Sequence, residues 1–211
     1  GKKFSIGIPK ETCLNEKRIC ITPDAVQVLV EQGHDIIIES GAGIPSYFSD
    51  LQFSEAGAQI SSDAKEVYGQ DLVLKINPPT DEEMDYLKPN AYLVSALQIN
   101  LRDKEYFKKL AEKKVNAIAF EFIMDEYHQL SLIRLIGEIA GATSILYASE
   151  LLSKSNGLML GGITGVRPTE VVILGAGIVG EIATKAAIGL GASVKVFDNS
   201  LSKLRRLHTI I

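Results

Sequence analysis

Short apolar runs alternate with amphipathic segments along almost the whole chain, a pattern that predicts an α/β architecture. Residues 4–9 read as a first strand. Thr22 has the chemistry of an N-cap, Pro23 suits the first helical position, and Gly33 stops that helix. Residues 35–40 form a β-branched run closed by the turn Gly41-Ala42-Gly43, and residues 72–76 predict a buried strand. Thr80-Asp81-Glu82-Glu83 is a capping box opening a short helix. A strand over 92–97, an amphipathic helix over 103–112 and a strand over 117–123 complete a parallel layer with helices on its faces.

The pattern changes near Leu130. A stretch rich in small residues, Ile136-Gly137-Glu138-Ile139-Ala140-Gly141-Ala142, predicts one long helix over 130–153 whose Gly and Ala positions admit a neighbouring backbone. A glycine-rich linker, Gly157 to Gly162, follows. The expected organisation is therefore an N-terminal α/β domain over 1–130, with a parallel, flavodoxin- or Rossmann-like sheet. The long helix joins it to a truncated Rossmann domain over 131–211.

The second half carries the clearest chemistry. An apolar strand over 170–174 runs into Gly175-Ala176-Gly177-Ile178-Val179-Gly180, a helix follows over 181–189, and a second strand over 193–197 ends at Asp198. The first glycine permits the tight turn, the second lets a pyrophosphate approach the backbone, and the third lets helix and strand pack closely. Free N–H groups at the helix N-terminus would meet the phosphates, and Asp198 would accept from the adenosine ribose hydroxyls. Ala176, Ile178 and Val179 within the loop, and Lys203 beyond the acid, join the cofactor-binding candidates. A carboxylate at Asp198 disfavours a 2′-phosphate, so the expected cofactor is NAD. A complete dinucleotide fold needs a second mononucleotide half, so further chain is expected beyond Ile211.

Bulk composition narrows the partners. The 211 residues carry a formal net charge of −4, which gives no electrostatic reason to expect nucleic acid or an anionic membrane. The apolar stretch 171–196 is interrupted by Glu181 and Lys185 and does not read as a membrane span. Cys13 and Cys20 are expected to be reduced thiols in a cytoplasmic enzyme. His34, His128 and His208 are scattered without spaced acids or thiols, so no metal site is expected.

Several segments, in order, resemble one family. Gly7-Ile8-Pro9-Lys10-Glu11, Asn15-Glu16-Lys17-Arg18 and Thr22-Pro23 resemble the opening of the alanine dehydrogenase/nicotinamide-nucleotide transhydrogenase α-subunit family. Leu74-Lys75-Ile76, Glu138-Ile139-Ala140-Gly141 and the block from Gly161 to Asp198 extend the resemblance over essentially the whole chain. It implies two α/β domains with NAD between them, interconversion of L-alanine with pyruvate and ammonia, and a homo-oligomer. It also implies that Arg18 grips the substrate carboxylate, a task suited to a guanidinium fork. Two positions depart from the dehydrogenase pattern. Asn77 stands where a lysine contacts the substrate carbonyl, and Gln98 stands where a histidine handles the proton. Neither amide carries a proton near neutral pH. Lys75, two residues from Asn77 and on the same strand face, either reaches toward the missing ammonium position or is structural. Asn77-Pro78-Pro79 is closer to the transhydrogenase pattern, whereas the linker 158–166 is closer to alanine dehydrogenase. Three readings stand: an alanine dehydrogenase-type enzyme acting on a small 2-oxo or amino acid, an NAD-binding transhydrogenase-like subunit, or a catalytically silent NAD module.

Overall fold

The computed structural model describes residues 3–211, and the chain divides into two compact units after Phe122. The first unit holds a six-stranded parallel sheet in the order β3-β2-β1-β4-β5-β6. The strands are β1 (Ser5–Ile8), β2 (Asp35–Glu39), β3 (Gln59–Ser61), β4 (Leu72–Leu74), β5 (Tyr92–Ser95) and β6 (Asn116–Ala119). This is the doubly wound order, and its direction reverses between β1 and β4. A crevice forms there beyond the carboxyl ends of the strands.

Local chemistry accounts for the helices between them. In α1 (Pro23–Glu31) the Thr22 hydroxyl accepts from the Ala25 N–H and Pro23 fills the first turn. In α4 (Asp81–Tyr86) the Thr80 hydroxyl accepts from Glu83 N at 3.2 Å while Glu83 Oε2 accepts from Thr80 N at 2.7 Å, a reciprocal capping box. A second box, Ser49 with Gln52, opens α2 (Asp50–Glu55), and Asp63 caps α3 (Ala64–Tyr68). The helix α5 (Lys104–Glu112) starts at the Asp103 cap. Ile6, Ile8, Ile36, Ile38, Val26 and Phe53 pack on one side of the sheet, and Tyr68, Met84, Leu93 and Leu110 belong to a second cluster.

Three strands, β4, β5 and β6, stop two or more residues before the apolar runs do, and carboxylates take the N–H groups at that edge. The run to Ile76 ends as a strand at Leu74 because the Glu11 carboxylate takes the N–H groups of Ile76 and Asn77. The run to Ile123 ends at Ala119, and a single 3₁₀ turn, Phe120–Phe122, swings the Glu121 carboxylate onto the N–H groups beyond β5. Side-chain acceptors have replaced ladder partners at the carboxyl edge.

The second unit contains α6 (Ser131–Asn156), β7 (Glu170–Leu174), α7 (Ile178–Gly189), β8 (Ser193–Phe197) and α8 (Leu201–Ile210). β7 and β8 pair in parallel, and α7 crosses between them. The small residues of α6 do what their spacing predicts. A Cβ on Gly141 would lie 2.5 Å from Val179 O and 2.8 Å from Ile182 Cβ, so only glycine lets α6 and α7 approach this closely. By length and composition α6 is apolar enough to cross a bilayer; its glycine face is occupied by α7.

Candidate functional site

The segment after β1 carries Glu11 to the point where the strand order reverses, and three groups from the end of β4 converge on it. Glu11 Oε1 accepts from Ile76 N at 2.6 Å, and Oε2 accepts from Asn77 N at 3.3 Å and from Lys75 Nζ at 3.1 Å. The Lys75 ammonium also lies 3.5 Å from Glu83 Oε1, which accepts from the Thr12 hydroxyl at 2.9 Å. Lys75 is 2 % exposed and both carboxylate side chains are nearly as enclosed. The sequence left Lys75 as either a ligand contact or a structural lysine. In the structure its ammonium faces two buried acids rather than open space, as burial of a lysine requires. Burial alone would raise the Glu83 carboxyl; the Thr80 N–H, Lys75 and the Thr12 hydroxyl reverse that and hold it below the usual value.

A second carboxylate, Glu16, ties Arg18 to Asn77. Arg18 donates from Nε to Glu16 Oε1 at 2.8 Å and from Nη2 to Oε2 at 2.7 Å, and Asn77 Nδ2 donates to the same Oε2 at 2.9 Å. The Glu16 carboxyl is pulled down to about 2, chiefly by the Arg18 guanidinium, with burial opposing and Asn77 adding a further donor. A guanidinium has two bidentate edges. Glu16 occupies the Nε/Nη2 edge, and the Nη1/Nη2 edge of this half-exposed side chain remains for a ligand carboxylate.

Gln98 lies just past the adjoining strand end, where Ala96 N donates to Ile76 O at 3.1 Å. Its backbone is left-handed (φ 50°) and its N–H donates to Glu121 Oε1 at 2.8 Å. A non-glycine residue held in this region stores roughly 1 kcal/mol of strain, here maintained by Glu121. Thus Arg18, Lys75 and Asn77 are brought together through Glu11 and Glu16, and Gln98 sits one strand over. Glu11, Glu16, Glu83 and Glu121 were not candidates from the sequence. The available signal was the need of a strand-end lysine for buried acids. Cys20, whose thiol donates to Leu74 O at 3.3 Å, is pushed up to about 12 by burial, which disfavours the reactive thiolate.

The glycine loop belongs to the second unit. Gly175 has φ +107°, a conformation that side chains avoid, and its N–H donates to Phe197 O at 2.7 Å. A Cβ on Gly180 would stand 1.8 Å from Gly175 O, so the third glycine is required by contact. A Cβ on Gly177 would meet nothing within 4 Å. The backbone there is open, as a pyrophosphate approaching it would need. Helix α7 begins at Ile178, inside the motif and three residues earlier than predicted, and no side chain caps it. The N–H groups of Ile178, Val179 and Gly180 therefore open the helix without a protein cap.

Asp198 is engaged by the backbone of its own loop. Its Oδ2 accepts from Ala176 N and its Oδ1 from Ser200 N, both at 2.7 Å, so it closes the loop and starts α8. These N–H groups hold its carboxyl below the usual range, with a smaller contribution from Lys203. Each oxygen keeps a second lone pair for a ribose hydroxyl. Glu181, in the first turn of α7, is met by Lys185 at 2.9 Å and Arg206 at 2.8 Å, which offsets its charge near the uncapped helix start. A cavity of about 660 Å³ runs beside the loop, lined by α6, β7 and α7. Both cysteines are free, and among the described residues no cluster of three His, Cys, Asp or Glu could hold a metal.

Comparison with known proteins finds matches over both units. The family profile "Alanine dehydrogenase/PNT, N-terminal domain" matches residues 7–140 and its C-terminal counterpart matches residues 142–211. The chain belongs to the alanine dehydrogenase/PNT family. An alanine dehydrogenase of Staphylococcus saprophyticus is 38 % identical over 208 residues, covering 97 % of this chain and 56 % of the relative. One from Methanococcus maripaludis is also 38 % identical, over 209 residues, with 97 % of this chain and 56 % of the relative covered. Among solved structures, an L-alanine dehydrogenase superposes with a TM-score of 0.88 at 36 % identity, covering 98 % of this chain and 58 % of its own. The transhydrogenase of Sinorhizobium meliloti superposes at 0.83 with 22 % identity, covering 98 % and 62 %, and shares the fold. The chain spans little more than half the length of the curated relatives it matches.

Proposed function

We propose that the full-length protein is an NAD-dependent oxidoreductase that interconverts a small amino acid, L-alanine first, with its 2-oxo acid and ammonia. The observation that carries this is relatedness over nearly the whole chain to proteins named alanine dehydrogenase, at 36–38 % identity. The loop geometry supports the cofactor half. The open backbone at Gly177 and the uncapped start of α7 would take the pyrophosphate, with Gly175, Ala176, Ile178, Val179 and Gly180 forming the cradle. Asp198 would hold the ribose, with Lys203 nearby. NAD, when bound, supplies the hydride acceptor.

In the first unit, the free edge of Arg18 would hold the substrate carboxylate. Asn77 and Gln98 would orient the reacting end without moving a proton, and Lys75 is better read as the counterion of Glu11 and Glu83. Proton transfer would fall to a group other than these amides. The remaining expectations, a domain boundary near Leu130, a homo-oligomer and a cytoplasmic location, belong to the same reading.

A transhydrogenase-like role is favoured by one specific observation. Asn77 and Gln98 lack a titrating group, and hydride transfer between two nicotinamides needs none. The test is to mix full-length protein with NAD and L-alanine and follow reduced nicotinamide, pyruvate and ammonia. Alanine-dependent formation of all three is expected. No turnover of alanine, with hydride passing from NADH to an NADP analogue, would replace this reading with the second.

A further inference from the structure

A lysine at position 77 would offer a donor to a substrate carbonyl, and an asparagine is able to do the same with its NH₂. The hydrogen-bond network around Asn77 does not leave it that freedom. Its side-chain nitrogen donates to Glu16 Oε2 at 2.9 Å and makes a longer contact of 3.5 Å with Glu11 Oε2. Both partners are carboxylates that only accept, so the amide orientation follows from chemistry rather than from a choice between nitrogen and oxygen. Turning the amide over would set its oxygen against two carboxylates.

What remains for a ligand is Oδ1, an acceptor to which no donor is recorded among the described residues. We propose that Asn77 makes this position a reader of N–H donors, so that the site takes the amino nitrogen of its ligand in preference to a keto oxygen. Glu16 is the positioning residue. Its Oε2 accepts from both Asn77 and Arg18, so the two groups are held within two hydrogen-bond lengths of each other. The remaining Arg18 edge and Asn77 Oδ1 then match the two ends of an α-amino acid: a carboxylate at one and an ammonium at the other.

Local charge points the same way. Glu11, Glu16 and Glu83 face Lys75 and Arg18, leaving one carboxylate in excess, and Glu121 adds another beside Gln98. A zwitterion with its ammonium toward Asn77 complements this arrangement; a 2-oxo acid brings only its anionic end and an accepting oxygen. The inference rests on the amino-acid reading above and sharpens it.

The test is titration calorimetry on full-length protein saturated with NADH, without ammonia or NAD, so that neither L-alanine nor pyruvate turns over. The wild type should bind L-alanine about tenfold or more tightly than pyruvate, the range expected when a partly buried acceptor is left unpaired. In Asn77→Lys, whose ammonium has Glu11 and Glu16 to pair with, the preference should reverse toward pyruvate. Equal or tighter pyruvate binding by the wild type overturns the assignment and leaves the substrate reading standing. An unchanged preference in a folded Asn77→Lys variant overturns it as well. Binding of neither acid removes both readings together.

Discussion

Replacing Lys75 with methionine is expected to destabilise the first unit by about 3–5 kcal/mol, the usual penalty for removing one partner of a buried ion cluster. Methionine fills a similar volume, so little of the effect would be a cavity. The loss comes from Glu11 and Glu83, which would remain enclosed without the ammonium that faces both. Glu11 keeps two backbone donors and Glu83 keeps Thr80 N and the Thr12 hydroxyl, so the folded state is weakened rather than rearranged. The pH dependence separates this explanation from a packing defect. In the wild type the Glu83 carboxyl lies below its ordinary value in the folded state, so its stabilisation is present above the unfolded value and lost as pH falls through the folded one. Without Lys75 one of the contributions that lower it is gone while burial still opposes ionisation, so the folded value moves up relative to wild type. The deficit against wild type should be largest near neutrality and shrink on acidification. Urea unfolding at several pH values measures it, and Lys75→Met with Glu83→Gln should recover part of the loss. A deficit independent of pH would contradict the ionic account.

Gly180→Ala should produce a comparable loss in the second unit, about 3 kcal/mol or more, at the upper end for overpacking. The added methyl would fall 1.8 Å from Gly175 O and 3.0 Å from Gly175 C, both backbone atoms. Neither can give way easily. Gly175 is fixed at φ +107° by the turn and tied to Phe197 O, and Ala176 beside it is tied to Asp198. The expected result is a lower unfolding temperature for this unit, together with loss of nucleotide binding. A Gly180→Ala protein as stable as wild type would mean that the strand-to-helix turn is looser than described.

The architecture was legible because its signals are local and periodic. Thr22-Pro23 and the Thr80 to Glu83 box each declared a helix that formed where expected, and the apolar runs marked strands whose far ends stop earlier. The glycine loop was legible for the same reason, since strand, turn and helix requirements all fall on adjacent residues. The short elements between Gly43 and Asp71 were not, because β3 has three residues and α3 five, too few for a period to show. The acid network was hidden for a different cause. Glu11 and Asn77 are 66 residues apart, and nothing local marks Glu11 as the acceptor that ends β4. Glu83 was visible only as a capping residue, although its carboxylate serves Lys75 as well. The Glu121 run looked like a strand because apolar content does not reveal a carboxylate turning back to a neighbouring strand end.

On the function proposed here, the second unit cradles a nicotinamide dinucleotide, and its middle glycine opens onto free space for the phosphates. Fluorescence titration of full-length protein with NADH, on wild type and Gly177→Ala in parallel with thermal unfolding, tests it directly. The variant should unfold at the wild-type temperature, since its methyl meets nothing within 4 Å, yet bind NADH about tenfold or more weakly, because the methyl stands where the pyrophosphate must approach. Unchanged NADH affinity in a fully folded Gly177→Ala protein would mean that the pyrophosphate does not approach this backbone.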